Sequence, residues 1–296
     1  MSGYVATIGM FDGVHRGHQF VLQQVVATAR ERGLQSLAIT FDHSLRHEPV
    51  LTPLDEKLLL LSKTNIDRVE VLPFTDELKR MTARQFMQQV LKEQLHVEVL
   101  LTGYDNRFGH GRKEGFDDYV RYGQELGIEV KSLPPAPSEG EGRTVSSSFV
   151  RQLLQEGRVA EAADALGYPY TIMGRVEHGE HVGTQLGFPT ANLVPTDGSQ
   201  LIPAAGAYAV KVRLENSMEF KHGMMNIGHR PTFDGHRQTL EAHIFQLHED
   251  LYGQLLLVSF VERLRREQRF DSPDALRQQL QQDALQANEI LHREEI

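Results

Sequence analysis

The sequence predicts an α/β chain of two domains, in which a parallel-sheet domain precedes an antiparallel β domain closed by one helix. The first part alternates short apolar runs with longer amphipathic stretches, the pattern of parallel strands joined by helices. From Tyr168 onward, short runs with period-two alternation replace this pattern, and a helix-length pattern returns only over residues 273–292. The change predicts a boundary after Gly167, and therefore domains of residues 1–167 and 168–296.

The elements of the first domain follow from the spacing of its apolar residues. Short apolar runs predict strands, and apolar residues at intervals of three or four predict helices. In chain order, the predicted elements are Val5–Ile8, Phe20–Arg32, Ser36–Phe41, Lys57–Lys63, Val69–Pro73, Ala83–Leu95 and Glu98–Thr102. Ligands of such sheets bind at the carboxyl ends of the strands, which is where Gly9–His18 and Gly103–Gly109 fall.

The second domain contains short alternating runs separated by turn signals, which predict an antiparallel barrel or sandwich. Its predicted elements are strands over Tyr170–Glu177, Ala207–Leu214, His222–Ile227, Gln238–Phe245 and Leu255–Leu264, and a helix over Pro273–His292. The segment Pro134–Gly142 has the composition of a linker. We place the boundary later, because Ser146–Arg151 begins a capped helix whose serines and arginine suit a phosphate site of the first domain. A serine-rich N-cap with no other role is the alternative.

The composition narrows the class of protein. The chain has 296 residues, 40% of them hydrophobic, and its net charge of -9 argues against a general nucleic-acid-binding surface. No apolar stretch is long enough to span a bilayer, and the first residues show no basic segment followed by an apolar one. We therefore expect a cytoplasmic protein with small-molecule substrates and no membrane partner. Because cysteine is absent, oxygen or histidine would bind any metal, and Mg²⁺ carried with a nucleotide fits best. The oligomeric state does not follow from the sequence.

The segment Gly9–His18 is the most informative motif, because it joins a strand-ending glycine loop to two histidines. A helix N-terminus presents unpaired N–H groups and the positive end of the helix dipole, which stabilise an anion. His15 and His18 share one side of the first turn, where their ring N–H groups would donate to phosphate oxygens. A surface pair and a metal site are the alternatives, but no third metal ligand lies nearby. The segment predicts chemistry on a nucleotide phosphate.

A second phosphate site is predicted around Gly187–Asn192. Thr190 and Asn192 are alternate residues, so in extended backbone they offer a hydroxyl and an amide oxygen on one side to a hydrated Mg²⁺. Glu241 lies in an alternating strand and is a candidate general base for a hydroxyl nucleophile, with His243 on the same face. The alternatives are a structural proline at a strand entry and a solvated glutamate.

Several familiar signatures are missing from the chain. It has no Gly-x-x-x-x-Gly-Lys-[Ser/Thr] loop and no Gly-x-Gly-x-x-Gly fingerprint, so a kinase here is not of the phosphate-loop type. The segment His178–His181 has the composition of a metal pair, but its internal glycine favours a turn.

Taken in order, the motifs resemble those of the bacterial bifunctional riboflavin kinase and FAD synthetase family over nearly the whole chain. In the first domain the resemblance rests on Gly9–His18, Leu51-Thr52 with Glu56-Lys57, Gly103–Gly109 and Ser146–Arg151. In the second it rests on Gly187–Asn192, Asn226–Thr232, Glu241–His243, Asp250–Gly253, and Arg265 with Phe270. The resemblance implies a Rossmann-like nucleotidyltransferase domain followed by an antiparallel Greek-key β-barrel flavokinase domain with a C-terminal helix.

The resemblance also implies two sequential reactions that both use ATP. The second domain would phosphorylate riboflavin to FMN, with Glu241 as the base and with Thr190 and Asn192 on Mg²⁺ and phosphate. The first would adenylylate FMN to FAD and release pyrophosphate, with His15 and His18 stabilising the developing charge. The nucleotide- and phosphate-binding residues implied are Gly9, Phe11, Asp12, Gly17, Ser147, Ser148, Arg151, Gly187, Thr190 and Asn192. The flavin-binding residues implied are Asn106, Arg265 and Phe270.

Three positions depart from the family pattern, namely His43, Phe149 and Thr184. Two other classes of protein stay open. A nucleotidyltransferase for another phosphate ester would carry a non-catalytic β domain, against which the coexistence of Thr190, Asn192 and Glu241 argues. A flavin-binding or nucleotide-sensing protein would lack turnover, against which the presence of His15, His18 and Glu241 argues.

Overall fold

The computed structural model describes residues 3–42, 49–103, 106–136, 145–178, 183, 186–232, 235–247 and 249–293, with the side chains of 230–232 and 235–237 left out. The departures at His43 and Thr184, and residues 179–181 of the His178–His181 segment, lie outside the described residues. The chain forms two compact units, Met1–Ser147 and Ser148–Ile296. Among the described residues, no helix is both long enough and apolar enough to cross a membrane.

The first unit is a five-stranded parallel sheet with its helices on both faces. Its strands are β1 (Tyr4–Ile8), β2 (Gln35–Phe41), β3 (Arg68–Leu72), β4 (Val97–Gly103) and β5 (Glu129–Leu133), in the order β3-β2-β1-β4-β5. Its helices are α1 (Arg16–Arg32), α2 (Leu54–Ser62), α3 (Asp76–Arg80), α4 (Ala83–Phe86), which continues as a π-helix over Met87–Gln94, and α5 (Phe116–Leu126), with a 3₁₀ turn at His110–Arg112.

Apolar side chains alternate between the two faces of this sheet. On one face, Ala6 packs with Met87 of the π-helix, and on the other, Val5 packs with Val25 of α1. Because both faces are covered, the central strands are nearly continuous apolar runs, as the sequence predicts. The direction of winding reverses between β1 and β4, and ligands of open α/β sheets bind in the crevice at that reversal.

The second unit is a closed antiparallel barrel covered by a C-terminal helix. Its strands are β6 (Thr171–Glu177), β7 (Ala191–Pro195), β8 (Gly206–Leu214), β9 (Phe220–Thr232), β10 (Gly235–Ile244) and β11 (Leu255–Arg266), in the order β10-β7-β6-β11-β8-β9. Its helices are α6 (Ser147–Glu156), which begins at the last residue of the first unit, α7 (Val159–Leu166) and α8 (Pro273–Arg293). Helix α8 packs its buried Ala287 and Ile290 on Ala209 and Met224 of the barrel.

The structural division falls after Ser147, whereas the change in sequence pattern predicts it after Gly167. The reason is that α6 and α7 are bound to the barrel. The carbonyl of Leu154 accepts a hydrogen bond from the backbone N–H of Ala204 at 2.9 Å. Arg263 of β11 donates from Nη1 to the carbonyl of Glu156 at 3.0 Å.

Candidate active sites

The loop after β1 leads directly into α1, and His15 is the N-cap residue of that helix. Its Nδ1 atom accepts a hydrogen bond from the backbone N–H of His18 at 3.3 Å. Because Nδ1 accepts, the ring proton of the neutral imidazole lies on Nε2, the atom left to donate to an anion. The motif therefore lies on the strand-to-helix turn that the sequence predicts.

The two histidine rings stack on each other with their centroids 3.6 Å apart and their planes inclined by 19°. His15 is 5% exposed, and burial lowers its pKa to about 4. Burial also lowers the pKa of His18 well below its ordinary value, and the charges of His15 and Lys57 act in the same direction. Both imidazoles are therefore neutral near pH 7. In the part of the chain that the structure describes, the buried Nδ1 of His18 has no hydrogen-bond partner, a state that a bound ligand can relieve.

Asp12 and Gly13 attach the loop to the segment that precedes α2. The Asp12 carboxylate accepts hydrogen bonds from the backbone N–H groups of Leu51 at 2.8 Å and Thr52 at 3.2 Å. In return, the N–H of Gly13 donates to Oγ1 of Thr52 at 3.0 Å. The hydroxyl of Ser147 donates to the Asp12 carbonyl at 2.9 Å. These contacts of Asp12 and Ser147 hold the loop in place, and their predicted contact with phosphate stays a prediction.

Phe11 supports the histidines from inside the unit. It is 2% exposed, and its ring meets that of His18 edge-on with the centroids 5.2 Å apart. Its φ of +50° lies in the left-handed region that bulky residues rarely adopt. A Cβ atom on Gly9 would approach the Phe11 ring to 3.2 Å. Phe11 is thus a buried support for His18, which the sequence places only as a general nucleotide-site residue.

Gly17 provides the space in which His15 lies. A Cβ atom at Gly17 would be 3.1 Å from the His15 ring and 3.3 Å from the carbonyl of Val145. Contacts this short require the ring or the backbone to move. The glycine is therefore needed for the position of His15.

Asn106 brings the loop after β4 to the same edge of the sheet. Its Nδ2 atom donates to the carbonyl of Ile8, the last residue of β1. Its backbone N–H bonds to the carbonyl of Gly103 at 3.1 Å. The two loops that the sequence predicts to converge do meet here, and the contact of Asn106 with flavin stays a prediction.

Lys57 is a buried residue of this site that the sequence does not single out. It lies in α2, is 5% exposed, and donates from Nζ to the carbonyls of Phe41 at 2.9 Å and Met10 at 3.3 Å. Its presence in the Glu56-Lys57 motif is the one available signal. Its partners are backbone atoms of distant residues, which a sequence pattern does not reveal.

Ser148 and Arg151 lie in α6 and belong to the second unit. Ser148 is exposed and Arg151 is buried. Their predicted contact with the triphosphate of the first site stays a prediction.

In the barrel, Glu241 lies in a row of paired residues that crosses several strands. It pairs with Asn192 of β7 on one side and with Asn226 of β9 on the other. Asn192 pairs in turn with Glu177 of β6. Residues that pair across neighbouring strands project from the same face of a sheet. A half-buried carboxylate therefore lies between two half-buried amides on one face of the barrel.

The segment before β7 is held close to β10. The Nδ1–H of His243 donates to the carbonyl of Pro189 at 2.7 Å, and the His243 ring meets that of Phe188 edge-on at 5.3 Å. A Cβ atom on Gly183 would lie 2.3 Å from the Phe188 carbonyl and 3.1 Å from Oγ1 of Thr190. Gly183 and His243 thus position the segment Gly187–Asn192 beside the strand that carries Glu241.

Arg265 and Phe270 lie beside α8. Arg265 donates from Nε to both carboxylate oxygens of Asp283 at 3.1 Å and 3.0 Å, and its Nη2 lies 2.8 Å from Oδ2 of the same residue. Its guanidinium carbon is 5.5 Å from the centre of the Phe270 ring. Arg265 therefore joins β11 to α8, and any contribution of the pair to flavin binding stays a prediction.

The oxygen atoms near Glu241 suit a hydrated divalent cation. Thr190 and Asn192 supply a hydroxyl and an amide oxygen, both from half-buried side chains. In the described part of the chain, no group of three or more histidine, aspartate and glutamate side chains could hold a metal ion. Such a donor set fits Mg²⁺ that keeps water and phosphate ligands, rather than an ion enclosed by protein.

The site residues form two groups, His15 with His18 in the first unit and Glu241 with its paired asparagines in the barrel. Together with the fold they define the class of protein, a nucleotide-dependent transferase with one site in each of two units. Residues 1–149 match the FAD synthetase family model, and residues 166–291 match the riboflavin kinase model. The chain belongs to the bifunctional riboflavin kinase/FMN adenylyltransferase family.

Curated relatives align with this chain over nearly the full length of both sequences. The chain is 40% identical to the bifunctional riboflavin kinase/FMN adenylyltransferase of Escherichia coli K12, over 97% of this chain and 93% of the relative. It is 36% identical to that of Haemophilus influenzae, over 96% and 92%, and 31% identical to that of Bacillus subtilis, over 96% and 91%.

A solved structure from Streptococcus pneumoniae, described as a macrolide-efflux protein, has the same fold. It superposes with a TM-score of 0.87 at 30% sequence identity and covers 97% of this chain and 94% of its own. The predicted fold class, a parallel-sheet unit followed by a closed antiparallel barrel with a C-terminal helix, is confirmed.

Proposed function

We propose that this chain phosphorylates riboflavin to FMN in the barrel unit and adenylylates FMN to FAD in the parallel-sheet unit. The observation that carries the proposal is that one chain contains both groups of site residues. Glu241 pairs with Asn192 and Asn226 in the barrel, and His15 stacks on His18 at the start of α1. A chain that had only one of these two groups would support only one of the two reactions.

In the adenylyl transfer, an oxygen of the FMN phosphate attacks the α-phosphorus of ATP, and the bond to the β-phosphate oxygen breaks. The nucleophile is already ionised, so the site needs positioning and charge stabilisation rather than a base. The Nε2–H of His15 and the positive end of the α1 dipole would stabilise the developing charge. His18 is stacked on His15, and its ring would donate to the same phosphate.

In the phosphoryl transfer, the 5′-hydroxyl of riboflavin attacks the γ-phosphorus of ATP, and ADP leaves. The carboxylate of Glu241 accepts the hydroxyl proton as the bond to phosphorus forms. Asn192 and Asn226 pair with Glu241 on the two neighbouring strands, and their amides would orient its carboxylate. The barrel is closed, so these strands hold the three side chains in a fixed row.

Thr190 and Asn192 would hold Mg²⁺ together with phosphate oxygens and water. When bound, the cation neutralises charge on the transferred phosphoryl group. Gly183 and His243 place these two residues beside Glu241. Arg265 is already bound to Asp283, so its contribution to flavin binding would be to hold Phe270.

The test is product analysis of the full chain with riboflavin, ATP and Mg²⁺. We expect FMN first and FAD later, separated by chromatography. Absence of FMN from riboflavin would refute the kinase assignment. Absence of FAD when FMN and ATP are supplied would refute the adenylyltransferase assignment, and it would favour another acceptor phosphate or a protein without turnover.

A further inference from the structure

We infer that Lys57 is the positioning residue of the adenylyl-transfer site, where it holds the histidine loop, Gly9–His18, in place. The inference rests on the proposed adenylyl transfer at this loop. Both hydrogen bonds of Lys57 go to backbone carbonyls, so its direct partners are the strand ends rather than a side chain of the site. It acts through the loop and through His18.

The ammonium of Lys57 joins the carboxyl ends of two neighbouring strands. It donates to the carbonyl of Phe41, the last residue of β2, and to the carbonyl of Met10, just beyond β1. The Met10 carbonyl also accepts from Oγ1 of Thr40 at 3.1 Å. Hydrogen bonds from a charged donor are stronger than those from a neutral one. Met10 is thus firmly held at the start of the loop.

The loop needs such an anchor because its backbone is strained. Phe11, directly after Met10, has a φ of +50°, and Val14 has a φ of +33°. Conformations of this kind are unfavourable and persist only where the surroundings enforce them. Lys57 holds one end of the strained stretch, while Leu51 and Thr52 hold its middle through Asp12 and Gly13.

The charge of Lys57 also acts on the histidines. Carboxylates of Asp12 and Asp42 face the ammonium and favour its protonated form, although burial lowers the pKa of Lys57. A proton on His18 would be placed close to that ammonium and to His15. Lys57 therefore helps to keep His18 a neutral imidazole, which is the form that donates through one ring nitrogen while the other remains unprotonated.

The test compares Lys57→Gln with Lys57→Arg and with Lys63→Gln, an exposed lysine at the end of the same helix. Gln is uncharged and one bond shorter, although its amide can still donate hydrogen bonds, whereas Arg keeps the charge. We expect Lys57→Gln to lower kcat for FMN adenylylation on the order of 10-fold to 100-fold, with KM for ATP nearly unchanged. Lys57→Arg should recover part of the rate. Lys63→Gln and the riboflavin kinase reaction of every variant should match the wild-type chain.

The second readout is the titration of the His18 ring followed by NMR, assigned with a His18→Gln variant. We expect the pKa of His18 to rise in Lys57→Gln, although burial keeps it below the ordinary value, and to stay low in Lys57→Arg. A slow variant with an unchanged His18 titration would reduce Lys57 to a structural role and overturn the inference. An unchanged rate in Lys57→Gln would also overturn it.

A folding failure of Lys57→Gln leaves Lys57→Arg to decide. A folded Lys57→Arg chain that keeps part of the rate and the low pKa of His18 supports the inference, because the retained charge is then sufficient. A folded Lys57→Arg chain that has lost both overturns it. A wild-type chain that makes no FAD refutes the proposed function instead.

Discussion

The guanidinium of Arg265 binds the carboxylate of Asp283 through two nitrogen atoms, with the shortest contact at 2.8 Å. Asp283 is 2% exposed, and Gln279 one turn earlier also donates to it at 2.9 Å. The pair fastens α8 to the last strand of the barrel, on the side where Phe270 lies. A buried ion pair of this kind is costly to break, because removal of one partner leaves the other charge unpaired.

The first prediction concerns this ion pair. Asp283→Ala should lower the free energy of unfolding of the barrel unit by about 3–5 kcal/mol, because Arg265 loses its partner. Urea titration of the full chain, followed by circular dichroism, measures the change. The control is Asp274→Ala on the same helix, whose side chain is 87% exposed and 4.0 Å from Arg277. It should change the free energy by less than about 1 kcal/mol. Equal losses in the two variants would contradict the prediction.

The second prediction concerns the space beside His15. Gly17→Ala should reduce FAD formation on the order of 10-fold to 100-fold, because its methyl group displaces the ring from which Nε2 donates. Steady-state assay with FMN and ATP measures the effect. Gly115→Ala is the matched control, since nothing lies within 4 Å of a Cβ atom there. A Gly17→Ala chain as fast as the control would show that the position of His15 does not limit the reaction.

The third prediction is an acid destabilisation of the first unit. Unfolded His15 has its ordinary pKa of 6.5, whereas in the folded chain burial lowers the pKa to about 4. As the pH falls, the unfolded chain therefore binds a proton at His15 before the folded chain does. The contribution of His15 to the free energy of unfolding is complete above pH 6.5 and decreases as the pH falls toward 4. Near pH 5 the loss is about 2 kcal/mol for this group.

Urea titrations near pH 7 and near pH 5 measure this loss in the wild-type chain and in His15→Gln. The variant should lose less stability than the wild type, while a change at the exposed His110 to Gln should behave like the wild type. Identical pH dependence in wild type and His15→Gln would count against a buried neutral His15.

The fourth prediction separates the two reactions. Glu241→Gln should abolish FMN formation yet leave the conversion of FMN to FAD intact, because it removes the proposed base from the barrel unit only. His18→Ala should do the reverse. Glu262→Gln, at an exposed position of β11, is the control for the first change. Product chromatography with riboflavin or FMN as the substrate distinguishes the outcomes. Loss of both activities from either change would argue against two independent sites.

The central strands can be predicted from the sequence because burial on both faces makes them continuous apolar runs. The short strand β7 is visible only as the end of a motif, since its five residues include the polar Asn192 and Pro195, which interrupt the apolar signal. The boundary after Gly167 follows from a change of pattern. Sequence periodicity does not show that α6 and α7 pack on the barrel, because that packing depends on contacts such as Arg263 with Glu156.

The candidate site residues also differ in how far the sequence alone reveals them. The catalytic roles of His15, His18 and Glu241 are predictions that rest on the local spacing of these residues in the sequence. The position of Lys57 in this site cannot be predicted from the sequence, because its Nζ atom bonds to carbonyls 16 and 47 residues away along the chain. For Arg265, the cation is visible in the sequence, but its partner on α8 is not.

The hydrogen bonds that join Asp12 and Gly13 to residues 39 positions further along the chain have a consequence for protein engineering. The histidine loop is not a transferable cassette of ten residues. A scaffold that received Gly9–His18 without the Leu51-Thr52 segment would leave a carboxylate unsatisfied and a strained backbone unsupported. A graft into another protein must therefore include both segments and keep their positions relative to each other. A mutant library that varies the histidine loop should also vary the Leu51-Thr52 segment.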